Sequence, residues 1–336
     1  MTMTSIGDLA GNFTNRLHTA RIKSDLLRLT SEMSTGRPHD PVAHQGGDTA
    51  RLALIERDIG IARSRVAAAA GLGHILTTMQ TALDGIEGVR LGLVGQIIAV
   101  TAASDALEWA RAGEAGAAAF RDIVGQLNGT FGGLSLFAGT ATDRPALADA
   151  DAMLASLTAA AAGAATASDV IAAVDAWFND PAGGFAMMGY LGDDGAPLSR
   201  RIDDGVTVTV EPRADHPALK DLMRAAAVVA LSADPALGLP RSTSMTLVTG
   251  ALPDLLSAAA PLTDLRADVG LEEERTAEAV TRNGALSAAL SIMRNEIALV
   301  DPYATATALR ETETQLETQF VVTARLAGLS LVNYLR

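Results

Sequence analysis

A chain of 336 residues can hold two or three domains and bury a sizeable apolar core. Its net charge of −13, its pI near 4.8 and the lack of a Lys/Arg cluster set it against phosphate backbones and anionic lipid, so neither nucleic acid nor membrane is an expected partner. With no cysteine it has no disulfides, thiolate nucleophiles or Cys-ligated zinc, and 49% hydrophobic residues with only 4% aromatics is the make-up of long Ala/Leu-lined helices.

In chain order, Met1 to Asn15 shows no basic region followed by an apolar one, so no cleavable secretory signal is read there. Ile6, Leu9, Phe13, Leu17, Ala20 and Leu27 fall on one stripe of a helix that should end near Gly36, before Pro38 and Pro41. A second helix is predicted from Asp48 to Thr101, through Ile55, Ile59, Leu72, Met79, Leu83 and Ile86, although its glycines weaken the case for an unbroken element. A third runs from Ala106 to Leu127, and Asn128-Gly129 with Gly132-Gly133 marks a turn.

The centre differs in kind. Phe185 to Leu191 and the alternating Val206, Val208 and Val210 read as short strands joined by tight turns, with Thr207 and Thr209 facing solvent. Ala-rich helical runs are expected at Met153 to Val174 and at Pro217 to Leu231. The first is the most apolar stretch, yet it carries Thr158, Thr166, Ser168 and Asp169, so no window is read as a membrane span. After Pro253 helical periodicity returns, and Asp301-Pro302 should open a last helix with the stripe Leu309, Leu316, Phe320, Ala324, Ala327, Leu331 and Leu335.

The fold class that follows is mainly α, with long terminal helices paired as a coiled coil, a helical rod body and a small α+β insert. The expected divisions are residues 1–37, the N-terminal coiled-coil helix; 38–140, the body; 141–253, the insert; 254–300, the return helix; and 301–336, the C-terminal coiled-coil helix. Paired end helices of about thirty residues would reach about 45 Å. Their outer face would expose Leu26, Leu326, Leu329 and Val332 and so call for neighbouring subunits. Ends packed on one globular body are the alternative, and periodicity does not choose between them.

Catalytic chemistry finds little support. None of the five histidines, His18, His39, His44, His74 and His216, forms a His-Glu-x-x-His pair, and no phosphate-cradling glycine motif occurs. Asp193-Asp194 and Asp203-Asp204 lack the later glutamate of a calcium loop and read as hairpin tips, and Glu272-Glu273-Glu274 reads as a solvated helix face. No enzyme activity, cofactor or metal is expected.

Several stretches resemble a known family. Leu26 to Arg37 (LLRLTSEMSTGR) is similar to the leucine-rich segment closing on Ser/Thr-Gly-Arg/Lys near the N-terminus of bacterial flagellins and their hook-associated relatives. Gln319 to Arg336 (QFVVTARLAGLSLVNYLR) resembles their terminal helix, with Tyr334-Leu335 as its Tyr-Leu pair. Gly133 to Asp143 (GLSLFAGTATD) and Ile202 to Val210 (IDDGVTVTV) resemble elements of the hook-associated proteins of the hook–filament junction more than those of filament flagellins, and Leu265 to Gly270 sits where that family has a Val-Gly element. One departure is a shorter connection after Arg37, Pro38-His39 before Asp40-Pro41, where the family has Asn/Ser-Asp-Asp-Pro.

The resemblance implies a structural subunit linking hook to filament, exported to the extracellular flagellum without a cleaved signal. It implies ends that order when partners cover them. The assembly interface would comprise Ile6, Leu9, Phe13, Leu17, Leu27, Leu309, Leu316, Phe320, Leu331, Tyr334 and Leu335. Implied partners are further copies in a ring, a neighbouring hook-associated protein, filament flagellin and an export chaperone on the C-terminal helix. A filament flagellin is the alternative, and a cytoplasmic helical scaffold a more distant one.

Overall fold

Glycine, proline and capping residues punctuate the chain nearly where the sequence places its breaks. The computed structural model describes every residue except 1–5, 48, 101–103, 196 and 329–336. Helix α1, Ile6–Thr35, stops at Gly36, whose left-handed φ of 67° lets its N–H donate to the Glu32 carbonyl at 2.8 Å. Asp40 caps the single turn α2, Pro41–His44, by accepting from the Val42 and Ala43 amides. Helix α3, Ala50–Ala99, is unbroken despite its glycines. Helix α4, Ala106–Leu127, opens on a capping box in which Asp105 and Glu108 satisfy each other's amides.

The middle corrects three expectations. The run Met153 to Val174 is two helices, α5, Ala150–Ala160, and α6, Ala167–Asn179, because Gly163 takes a φ of 86° and Thr166 with Asp169 starts a new capping box. Phe185 to Leu191 forms no strand; Phe185–Gly189 is a π-turn closed by the Tyr190 amide on the Phe185 carbonyl at 2.7 Å. That turn seats Phe185 among Trp177, Phe178 and Tyr190, and Gly184 is what fits beneath the indole of Trp177. The third correction concerns Pro253, which lies inside α8, Arg241–Ser257, instead of preceding a helix.

Two antiparallel hairpins complete the middle. Thr130–Phe131 (β1) pairs with Leu134–Ser135 (β2) across Gly132 and Gly133, both at positive φ. Leu198–Asp203 (β3) pairs with Val206–Val210 (β4) in the register Arg200 opposite Val208, with a bulge between Arg201 and Asp203. Val208 and Val210 are buried and Val206 is half-buried. Helix α7, Pro217–Leu231, has the bounds read from sequence, and α9, Ala259–Ala298, and α10, Pro302–Gly328, close the chain. Asp301 caps α10 by accepting from the Tyr303 amide at 2.8 Å.

The chain divides into two compact units, Met1–Arg63 with Asn283–Arg336, and Ser64–Arg282. In the second, α7 is the central element, packed on α4, α5, α6 and α8. It reaches α4 closely because Gly113 and Gly116 present no side chain to Ala233 and Val229. The Leu136 to Thr140 element is a plug in this core: Phe137 and Ala138 are fully buried, the Phe137 carbonyl accepts from Ala214, the Ala138 carbonyl accepts from Asp193, and Thr140 donates to the Asp193 carboxylate.

Leu83, Ile86, Arg90, Leu93 and Ile97 are buried heptad positions in the C-terminal half of α3, so one of them is a charge. Arg90 forks onto Glu87 at 2.6 and 2.7 Å and donates to the Leu255 carbonyl at 2.9 Å, one of the orphan acceptors at the end of α8. The Arg90 hydrogen bonds and charge hold the Glu87 carboxyl below its ordinary pKa, and its stabilising share is therefore present above the unfolded value of 4.5 and lost as pH falls through the folded one. Arg90→Ala would strand Glu87, 23% exposed, and the Leu255 carbonyl. A loss of about 2–3 kcal/mol is expected in urea unfolding at pH 7, shrinking below pH 4.

By length and composition one window within Arg241–Arg325 reaches the apolarity of a membrane span, with 33% of it buried inside the fold. The expectation that no window does so is corrected; the core helix of a water-soluble protein passes the same test.

Candidate assembly interface

Helices α1 and α10 pack antiparallel within the first unit. Gln319 Nε2 approaches Asn15 Oδ1 at 3.4 Å toward one end, and the Val300 amide donates to the Gly36 carbonyl at 3.1 Å toward the other. Among the covered positions, Asn15, Thr19, Ile22, Leu26 and Leu29 of α1 and Thr305, Leu309, Thr312, Leu316 and Gln319 of α10 form the seam. Both sets step alternately by four and three, the seam of a two-helix coil. Half of these residues are polar, and only Leu29 and Thr305 are fully buried, so the seam alone buries little apolar surface.

The connection after α1 is short and tied. Glu32, buried, accepts from Arg28 at 3.1 Å and from the His39 amide at 2.9 Å, which fixes the path of Arg37 to His39 before Asp40 begins α2.

The sequence-predicted residues separate onto different faces. Phe13 (64% exposed), Leu17 (56%), Leu27 (71%) and Phe320 (50%) point away from the seam. Leu309 and Leu316 lie on it, already half-buried in a single chain. Leu26, expected on the outer face, is also on the seam, because the phase of the coil follows Ile22, Leu26 and Leu29. Leu331, Tyr334 and Leu335 lie outside the described residues, as do Leu329, Val332 and the side chains of Ile6, Leu9 and Leu326. Lys23 Nζ stands 5.7 Å from the centroid of the Phe320 ring, a cation over an aromatic face.

Sequence reasoning missed further exposed apolar side chains of this unit, among them Met33, Leu54, Ile61, Ile292, Met293 and Tyr303. For Leu54 and Ile61 in α3 and Ile292 and Met293 in α9 the signal was present as apolar residues off the buried face of each helix.

The residues weighed for chemistry have structural partners. Asp203 pairs with Arg65 and Arg282, and Asp204 with Arg65 and Arg201, so the β3–β4 tip is clamped by arginines. Glu272 and Glu273 are only partly solvated, since Glu272 pairs with Arg275 and Glu273 accepts from Thr77 at 2.7 Å. Among the described residues no group of three His, Cys, Asp or Glu side chains could hold a metal ion.

Paired, thinly sealed end helices with apolar outer faces are what this unit presents to its surroundings. Residues 255–335 match the model of the bacterial flagellin C-terminal helical region. The likeness to that flagellin region covers the C-terminal part of the chain, from the end of α8 through α10. Comparison with curated proteins gives no match. Among solved structures, one described as a flagellar hook-associated protein from Vibrio parahaemolyticus is 14% identical and aligns over 74% of this chain and 98% of its own, with a TM-score of 0.41.

Proposed function

We propose that the chain is the hook-associated subunit that joins hook to filament, exported without a cleaved signal and assembled through its terminal helices. The observation that carries this reading is the outward apolar face of the α1–α10 pair: Phe13, Leu17, Leu27 and Phe320 are exposed in one chain and would be covered in an assembly. Further copies of the chain, a neighbouring hook-associated protein and filament flagellin would supply the cover, and a chaperone on the C-terminal helix would supply it before export. The junction assignment is favoured by the Leu136 to Thr140 plug, whose sequence resembles that of junction proteins.

Filament flagellin is the second reading, favoured by the match of residues 255–335 to a flagellin region. Electron microscopy of flagella labelled with antibody against this chain separates the two. A single band at the distal end of the hook is the expected result; label along the filament would establish the second reading, and absence of label from flagella would refute both.

A further inference from the structure

The loop between β4 and α7 ends in a histidine that caps the core helix. His216 Nδ1 accepts from the Ala218 amide at 3.3 Å, while the His216 carbonyl receives the Leu219 and Lys220 amides at 3.0 Å each. Only a ring whose Nδ1 lone pair is free can do this, so the capping form is neutral with its proton on Nε2. Beside the ring is a cavity of about 340 Å³ lined by Leu76, Glu211, Leu265, Asp268 and Glu272. Glu272 gives Oε1 to Arg275, while its Oε2 is buried and has no hydrogen-bond partner among the described residues. A smaller cavity, about 170 Å³, adjoins the ring on the side of Gly195, Arg213 and Asp215.

We propose that His216 is a pH-operated cap, which holds the first turn of α7 when neutral and, once protonated from solvent, releases Ala218 and turns into the larger cavity to donate to Glu272. Protonation places a hydrogen on Nδ1, where it meets the Ala218 N–H as donor against donor. The charged ring then has a destination, since Glu211 and Asp268 face the cavity with Glu272, and the orphan Oε2 gains the donor it lacks. Other charges around the ring are Asp215, already paired with Arg213 at 3.0 Å, and Arg213 itself. Burial pushes the imidazole below its ordinary pKa, against the pull of Asp215, Glu211 and Asp268 and with the help of Arg213. Because the folded state binds this proton less readily than the unfolded one, the cap contributes fully above pH 6.5 and its contribution is lost as pH falls through the lowered value.

The test is a nitrogen-15 NMR titration of the full chain with amide exchange at Ala218, each rate corrected for the intrinsic dependence of exchange on pH. At pH 8 Nδ1 should be the unprotonated nitrogen, and protection of the Ala218 amide should fall about fivefold on acidification through the histidine transition. His216→Asn, which caps without titrating, should keep that protection constant, and Glu272→Gln should move the transition to lower pH while leaving the release. A protonated Nδ1 at pH 8, or Ala218 protection that does not change in the wild type, would overturn the cap whether or not the Asn variant folds. An unmoved transition in Glu272→Gln would overturn the destination.

Discussion

Gly116→Val should lower the thermal unfolding midpoint of the unit formed by Ser64–Arg282 by ~9 °C, whereas Gly125→Ala on the same helix should leave it unchanged or raise it slightly. A Cβ at Gly116 would lie 2.7 Å from the Ala230 amide nitrogen and 2.7 Å from Val229 Cβ, closer than real Cβ atoms come to anything. One of the atoms it meets is backbone, so α4 and α7 must separate and the seal over fully buried residues such as Phe120 and Val229 opens with them. Overpacking of this kind costs about 3 kcal/mol, and in a unit of this size each kilocalorie is worth ~3 °C. Gly113 repeats the geometry one turn earlier, where a Cβ would fall 2.2 Å from Ala233 Cβ. Gly125 has nothing within 4 Å of its Cβ position, and alanine there only removes the freedom of the unfolded chain. Calorimetry on the two variants is the check; equal midpoints would show that the close approach of α4 and α7 is not what these glycines provide.

The two helices of that contact were legible in the sequence, with the bounds of α4 and α7 as read, but the contact was not. Gly113 and Gly116 look like helix-weakening residues until α7 is placed against them. The glycines of α3 differ: all lie in an unbroken helix, and most have open space at the Cβ position, so only Gly73, facing Thr276, and Gly85, facing Gln126, have a close neighbour there. Capping residues carried more information than apolar runs: Asp105 with Glu108, and Asp301 before Pro302, mark helix starts by local hydrogen bonds that need no tertiary context. Thr166 with Asp169 was an equally local signal inside the Met153 to Val174 run, and it outweighs the alanines around it. Phe185 to Leu191 could not be read locally, because its π-turn is set by where Phe185 meets Trp177 and Tyr190.

At the candidate interface the presence of amphipathic end helices was readable and their phase was not. Helix α1 carries two apolar stripes, Phe13, Leu17 and Leu27 on one side and Ile22, Leu26 and Leu29 on the other, and periodicity gives both with the same weight. Which one meets α10 is decided by α10, whose seam residues Leu309, Leu316 and Gln319 recur in the heptad phase of Ile22 and Leu29. The α1 stripe that the sequence singles out is the one exposed in a single chain, while residues it assigned to the outside, such as Leu26, hold the pair together.

That division gives the second large effect. The double variant Phe13→Asp with Leu17→Asp should fold as the wild type does and fail to assemble. In a single chain both positions are exposed, at 64% and 56%, so removing their apolar groups costs little, and surface changes of this kind stay within about 0.5 kcal/mol. Arg16 and Arg21 lie one turn or less away and would favour the new carboxylates in solution. In an assembly the balance reverses: each site forfeits about 1.5–3 kcal/mol of apolar burial. The carboxylates, even when paired with those arginines, must also lose water on entering the interface, at a cost of several kcal/mol per ion in a low-dielectric setting. The sum, on the order of 5 kcal/mol or more per subunit, is about four powers of ten in an association constant. Phe320→Asp would be a weaker test, because Lys23 already stands over that ring and would meet the new charge. The measurements are circular dichroism melting of the purified chain and microscopy of flagella from cells carrying the variant. Unchanged melting with this chain missing from flagella is the expected pair of results; a variant that still assembles normally would show that the outward stripe of α1 is not an assembly surface.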